Sequence, residues 1–409
     1  MARRRAPQRN TQDHATTNEA LLTPWLDNLG TTEYESKEQR LHDEIVAFVT
    51  YVTPTPSERA ARELVVATVR EIIRRRFPRS EVSIIGSVAH DLYLPNGDID
   101  LVVFTPQVYD DKFKTKALFQ LASMLKNAHV TFKTQVAVGA RVPVLSFQTV
   151  PSLGSFQIDI SLNADDGLRA TPIIKGYLTR MPTLRPLILV VKTFMSMRGL
   201  NSPASGGLGS YAIICMMICF VQLNPKGRPP SFYEEPMASE SLGYLLFDFF
   251  QFYAFEFSYQ TLYISTALGK VLPKDAVDWL GKSRPDALCI ECLVNPGRDI
   301  GKSANRITQI RAALQEGYTS LKNYPFSLTR CNVLGSILGL SEQIVAHRHH
   351  IEEIVSSGRL EREQRSIPLP PVWSAPSSYR GRGSRAPYAP HPNRSYQNEP
   401  YARPQRPRR

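Results

Sequence analysis

The chain has 409 residues, 42% of them hydrophobic, and a formal net charge of +12. This length allows two domains, and the charge favours a polyanionic partner over an acidic one. No uninterrupted apolar run reaches the ~18 residues of a membrane-spanning helix, MARRRAPQRN lacks the apolar core of a secretory signal, and five cysteines, an odd number, suit a reducing compartment.

Residues 1–20 are polar and basic, a composition that predicts disorder. Within them Arg3 to Arg5 suit a nuclear-import signal or a contact with RNA. Leu41, Ile45, Phe48, Val49 and Val52 recur at helical spacing. Pro54 and Pro56 mark the end of that helix. Ser57 is expected to cap the next one, with Glu58 in its first turn and Leu64, Val65, Val69 and Ile72 facing the core.

Ile84 to Phe104 reads IIGSVAHDLYLPNGDIDLVVF. An apolar pair leads to a turn at Gly86-Ser87, and an apolar run carrying Asp98 and Asp100 follows. Residues two apart on a strand share a face, so both carboxylates aim to one side, with Ile99 and Leu101 on the other. Carboxylates held close together repel unless a cation lies between them, and hard oxygen ligands suit Mg²⁺ or Mn²⁺. Gly86 permits close approach of a ligand, and Ser87 with the free N–H groups of a following helix would face a triphosphate.

Lys112 to Ala128 reads as a helix, and Val130 to Val138 and Val142 to Val150 as strands turning at Gly139. Phe156 to Leu162, FQIDISL, is a further strand. Its Asp159 shares a face with Gln157 and Ser161, and an aspartate centred in an apolar strand is costly unless it is paired or bound to metal. Together Asp98, Asp100 and Asp159 form a cluster able to hold two cations for phosphoryl or nucleotidyl transfer. The order of these elements suits a mixed sheet with helices on one face.

The remainder is mainly helical. Lys192 sits in the apolar stretch LILVVKTFM, where a lysine is expensive unless it meets an anion. Gly206, Gly207 and Gly209 lead into a buried helix with Ser210 and Tyr211 at its start; a helix N-terminus favours anions, and a tyrosine face accepts any base. Leu242 to Tyr253 is apolar and aromatic, and Leu293 to Ala304 is a Pro-Gly loop entering a helix. Cys289 and Cys292 lack a second pair for zinc and read as core thiols. Leu334 to Glu363 reads as helical, with His347, His349 and His350 on a solvated face. From Ser366 onward proline, arginine, serine and tyrosine dominate, as in RGRGSR at Arg380 to Arg385. Such a tail cannot bury a core, and Arg380, Arg382 and Arg385, with Trp373, Tyr379, Tyr388 and Tyr396 nearby, suit single-stranded RNA.

G-S-x(10)-D-I-D followed by a distant I-D-I resembles the DNA polymerase β-like nucleotidyltransferases. LYLPNGDIDLVV is similar to the form in the non-canonical poly(A) polymerases of the Trf type, the catalytic subunits of nuclear TRAMP-like complexes. The likeness extends over roughly Pro24 to Tyr318. It implies an α+β fold: a polymerase β-like catalytic domain over 56–180, and a helical, poly(A)-polymerase-associated central domain over 181–345 that also takes in 21–55. A helical extension over 346–365 and disordered tails at 1–20 and 366–409 complete the expected layout. The resemblance further implies that Gly86, Ser87, Lys192 and Ser210 meet the phosphates of ATP, that Asn163 meets the ribose, and that Tyr211 stacks on the base. Arg298 stands where uridylyl-adding relatives carry histidine and adenylyl-adding relatives asparagine. Asp299 either reads the base edge or caps the next helix. Ser196 stands where related enzymes place a second lysine. The implied function is adenylyl transfer from ATP to RNA 3′ ends in the nucleus or nucleolus, with two Mg²⁺ or Mn²⁺ ions and help from a zinc-knuckle RNA-binding protein and an RNA helicase. A uridylyl or mixed transferase and an inactive RNA-binding scaffold are the alternatives.

Overall fold

Two amphipathic helices lead the chain into a sheet. The computed structural model describes residues 21–29, 33–108, 110–139, 141–280, 285–326 and 332–372. Helix α1 (Lys37–Val52) begins at Ser36, whose hydroxyl accepts from Gln39 N–H. Helix α2 (Pro56–Arg76) is capped by Thr55, not by the expected Ser57. The Thr55 hydroxyl accepts from Glu58 N–H and the Glu58 carboxylate accepts from Thr55 N–H. Pro56 at the first helical position explains the shift: its missing N–H and fixed φ suit that place, so the cap falls one residue before it.

The chain then forms β1 (Glu81–Ile85), a single turn α3 (Gly86–Ala89), β2 (Ile99–Phe104), α4 (Asp111–Asn127), β3 (Thr134–Ala137), β4 (Val144–Gln148) and β5 (Gln157–Leu162). The strands order as β1-β2-β5-β4-β3. Within this sheet only β2 and β5 pair in parallel. The mixed sheet is as expected, but β3 and β4 are shorter than the apolar runs that predicted them. Val130 and Val150 still meet, through one Val150 N–H to Val130 O bond beyond the ladder.

One core lies between the sheet and α2 and α4. Ile99, Leu101, Ile158 and Ile160 face Val65, Val69, Ile72 and Leu121 there. The opposite face of β2 and β5 therefore carries Asp100 and Asp159. Buried apolar side chains on both partners stabilise this packing by roughly 1.5–3 kcal/mol each, which fixes the strands that hold the carboxylates.

The second core is helical. It gathers α1, α5 (Asp166–Arg180), α6 (Leu184–Met197), α7 (Ser210–Leu223), the short α8 (Ser231–Glu234), α9 (Leu242–Gln251) and α10 (Ile307–Asn323). Helix α5 contributes Ala170, Ile174 and Tyr177 to this core, although it directly follows the sheet. A small sheet stands within this mainly helical region, and no strand was expected at its positions. It comprises β6 (Leu262–Ser265), β7 (Lys270–Pro273) and β8 (Ile290–Glu291), ordered β7-β6-β8.

The last helices, α11 (Glu342–Ser356) and α12 (Arg359–Ser366), return to the first core through Ile351, Ile354 and Leu360. An ion pair of 3.1 Å joins Arg348 to the buried Glu58 at the start of α2. His347 and His350 do not face solvent as expected. Their Nε2 atoms lie 2.8 and 2.9 Å from the carbonyl oxygens of Gly154 and Pro151, because the helix docks on that loop. His349 is exposed. No described helix is long and apolar enough to cross a membrane. All described residues fall in one compact unit that ends at Val372. Arg3 to Arg5, Cys331, Arg380, Arg382 and Arg385 lie outside the described residues.

Candidate active site

Strand register assembles the acidic side. Asp100 on β2 pairs with Asp159 on β5, so the two carboxylates are in-register neighbours on one face. Asp98 stands two residues before Asp100, just ahead of the strand. Burial, then Asp159 and Asp98, push the Asp100 carboxyl up to about 7. Burial and Asp159 also raise Asp98, against Arg62 and Lys192. As they stand the carboxylates are neighbours and not a closed cage: among the described residues no three His, Cys, Asp or Glu side chains converge tightly enough to hold an ion. Their chemistry nonetheless fits a hard divalent cation. The donors are all oxygen, and the ionised forms of Asp98 and Asp100 are disfavoured by burial and by neighbouring carboxylates, which a bound cation relieves.

The Gly-Ser turn abuts this row. Gly86 has φ of +67°, and a Cβ there would lie 2.2 Å from Oδ2 of Asp100. Glycine is therefore required twice, by the left-handed backbone and by the carboxylate against it.

Asp100 and Gly86 line a cavity of about 290 Å³ together with Ser87, Ser210, Tyr211 and Arg298. Helix α7 opens on this cavity at Ser210, with Gly209 as a cap that offers no side chain, so its first N–H groups remain available to an anion. The Tyr211 ring is half-buried, its hydroxyl 3.8 Å from the sulfur of Cys292. Burial raises that hydroxyl well above its ordinary range, so it remains a neutral platform. Lys192 is 8% exposed and donates to Leu92 O at 2.5 Å. Burial lowers its ammonium to about 8, while Asp100 and Asp98 oppose that shift.

A second, larger cavity of about 720 Å³ lies near the row. Gly97, next to Asp98, and Gln157, two residues before Asp159, are part of its wall, as is Ser196. Asp100 thus borders the smaller space, and residues next to Asp98 and Asp159 in the chain border the larger one.

Asn163 and Asp299 bond to the backbone of the chain. Asn163 has φ of +50° and turns its amide to the loop after β2. There its Oδ1 accepts from Thr105 N–H, and its Nδ2 donates to the carbonyls of Thr105 and Val108. This side chain braces the loop after β2. Asp299 is likewise occupied: its Oδ1 accepts from Ile290 N–H at 3.0 Å and Gly301 N–H at 2.7 Å. It caps the turn at Gly301–Ser303, the second of the two roles expected for it.

Asp166 was not expected at the site. Its carboxylate accepts from Arg298 at 2.5 Å, Arg141 at 2.8 Å, Arg169 at 3.1 Å and Asn295 at 2.8 Å. Burial opposes ionisation, but the bonds from Asn295, Arg298 and Arg169 outweigh it and hold the carboxyl at about 2. This clasp ties the Leu293–Ala304 loop to the start of α5, so Arg298 meets the cavity with its charge already shared. The neighbouring Asp165-Asp166 pair was the only local signal. His90 was also unexpected. It lines the smaller cavity, is 7% exposed, and neither ring nitrogen has a hydrogen-bond partner. Burial, then Lys175 and Lys192, lower its imidazole to about 4.

Known proteins share this sequence and architecture. Residues 41–179 match the family described as poly(A) RNA polymerase, mitochondrial-like, central palm domain. Residues 241–291 match the Cid1 family poly A polymerase segment. The chain is 32% identical over 324 residues to poly(A) RNA polymerase cid14 of Schizosaccharomyces pombe, covering 76% of this chain and 46% of that protein. It is 30% identical over 288 residues to the inactive non-canonical poly(A) RNA polymerase protein Trf4-2 of Drosophila melanogaster, covering 69% and 68%. The solved polymerase core of TRAMP, an RNA surveillance complex, superposes with a TM-score of 0.66 at 28% identity over 81% of this chain and 98% of that one. The chain spans about half the length of several of the curated relatives it matches.

Proposed function

The chain belongs to the non-canonical poly(A) RNA polymerases of the Trf type, and from that premise we propose that it adds AMP from ATP to RNA 3′ ends without a template. The observation that carries this reading is the acidic row Asp98, Asp100 and Asp159, of which Asp100 lines the smaller cavity. The smaller suits the nucleotide and the larger the RNA 3′ end. Family membership alone does not carry activity, since one relative of comparable identity is named inactive. The intact carboxylates do, because three repelling charges hold no advantage for a scaffold.

In this reading Asp98, Asp100 and Asp159 hold two Mg²⁺ or Mn²⁺ ions, which supply Lewis-acid activation of the 3′-hydroxyl and charge stabilisation of the pyrophosphate leaving group. Ser87, Ser210 and the N–H groups at the start of α7 hold the phosphates. Lys192 donates one ammonium N–H to Leu92 O and adds its positive charge beside the phosphates with the others. Tyr211 stacks on adenine, and the clasp around Asp166 sets Arg298 at the wall of the base pocket. Action in the nucleus, with a zinc-knuckle RNA-binding protein and a helicase as partners, belongs to the same proposal. It is supported by likeness to the polymerase core of TRAMP and by the basic Arg3–Arg5.

Arg298 favours one second reading, a uridylyl or mixed-specificity transferase. Extension of a labelled RNA primer with each nucleoside triphosphate in turn decides between them, with Asp98→Ala as control. Extension mainly by ATP, lost in the variant, is expected. Preference for UTP supports the second reading. Extension that survives Asp98→Ala overturns both.

A further inference from the structure

Gln148, Ser155 and Gln157 belong to the walls of two cavities at once. They join the 720 Å³ cleft to a cavity of about 350 Å³ that lies over the outer strands of the sheet. This second space runs along β4 and β3 to Phe132, whose ring is 80% exposed.

The strand register lays its floor. Asp100 stands opposite Asp159, Asp159 opposite Ser146, and Ser146 opposite Gln135. Paired residues on neighbouring strands share a face, so one row leads from the carboxylates to the edge strand. A parallel row runs through Gln157 and Gln148, which are also paired. Three interstrand spacings carry the first row about 14 Å from Asp100 to Gln135. Among the described residues neither cavity wall contains Asp or Glu. Lys133, exposed beside Phe132, adds a positive charge at the far end.

We propose that this track holds the nucleotides of the RNA acceptor that lie just upstream of its 3′ end, with Phe132 as the platform for one base. The inference rests on the transferase reading above and deepens it. Amides and hydroxyls both donate and accept, so they meet sugars and base edges of any sequence. Acceptor phosphates meet no carboxylate until they reach the row where the 3′-hydroxyl must stop. A phenylalanine held almost wholly in water gains most from a partner with a flat apolar face, and stacking on aromatic rings tolerates every base. The track meets the site of chemistry at Gln157, which lines both cavities and whose amide donates to Asp159 Oδ1 at 3.4 Å, as an acceptor strand requires.

The test uses the full chain and compares two acceptors at saturating nucleotide: a dinucleotide, too short to reach Phe132, and an oligonucleotide of about fifteen residues. In the unaltered protein the longer acceptor has the lower KM. In Phe132→Ala that advantage shrinks by about tenfold, and Phe132→Trp restores it. Gln135→Glu, which places a carboxylate in the track, shrinks it too, and more at low salt than at high. An unchanged ratio of KM values in both Phe132→Ala and Gln135→Glu overturns the inference and leaves the exposed ring to a protein contact. Failure of the unaltered chain to extend either acceptor overturns the transferase reading itself, a different result from an unchanged ratio.

Discussion

Two acidic regions of this molecule carry opposite shifts. At the sheet, Asp100 has Asp98 and Asp159 for neighbours and titrates near 7. At the Leu293–Ala304 loop, Asp166 has three arginines and an asparagine for neighbours and titrates near 2. The first region is frustrated by itself, and a cation would relieve it. The second is satisfied by its own chain, which makes it a fastening. Burial alone tells little about a carboxylate; the charge and donors around it decide whether it is poised for a ligand or already used.

The largest break in this contrast should come from removing a carboxylate of the row. Asp100→Ala or Asp159→Ala is expected to lower the rate of nucleotide addition by about a thousandfold or more, since several kcal/mol of charge stabilisation are lost. Primer extension reads this directly, and a loss under tenfold would remove that residue from the row. Gly86→Ala comes next. The left-handed backbone costs on the order of 1–3 kcal/mol, and the added methyl displaces the Asp100 carboxylate. A fall in rate of about a hundredfold is expected from such a displacement, with a lower melting temperature, and a variant that keeps both values would refute the close approach.

Opening the clasp should act on nucleotide binding. Asp166→Asn is expected to raise KM for the nucleotide by about tenfold with kcat little changed, because the loop that walls the base pocket loses its ionic ties. The carboxylate is about a third exposed, so these ties are partly screened. A change confined to kcat would place Asp166 in the chemistry.

The smallest effect is on pH dependence, and its sign differs between the regions. Asp100 is raised in the folded chain, so its contribution to stability is present below the ordinary carboxylate value and lost as pH rises toward 7. In chelator, Asp100→Asn should melt above the unaltered protein at pH 8, and the gap should narrow as pH falls. Asp166 is depressed, so its contribution is present above the ordinary value and lost only as pH falls toward 2. Its clasp should therefore stay closed over the whole range in which Asp100 titrates. Melting curves over pH for both variants check the pair, and parallel curves would show that the contrast is false.

Much of the acidic side is legible in the sequence. Period-two alternation around Asp98, Asp100 and Asp159 marks two half-buried strands, and the Gly86-Ser87 turn stands within reach of the first. Lys192 is conspicuous because its neighbours are apolar. Asn163 braces a loop where a ribose contact was expected, and Asp299 takes the capping role of its two alternatives. Short polar side chains serve backbone N–H and C=O groups as readily as ligands, and motif position does not reveal which. His347 and His350 looked solvated because their partners, Gly154 and Pro151, lie almost two hundred positions earlier. The terminal arginines Arg380, Arg382 and Arg385 lie outside the described residues.

By itself the sequence determined most of the strands and helices and the identity of the three aspartates, since these follow from local periodicity and from the cost of charge in apolar segments. Tertiary structure alone decided that Asp100 and Asp159 stand in register, that Asp166 gathers its partners from three separate segments, that a small sheet aims the Leu293–Ala304 loop, and that α11 closes back on α2. Each of these depends on pairing between residues far apart in the chain, and pairing energies are set by which surfaces meet, a quantity that no local pattern of residues contains.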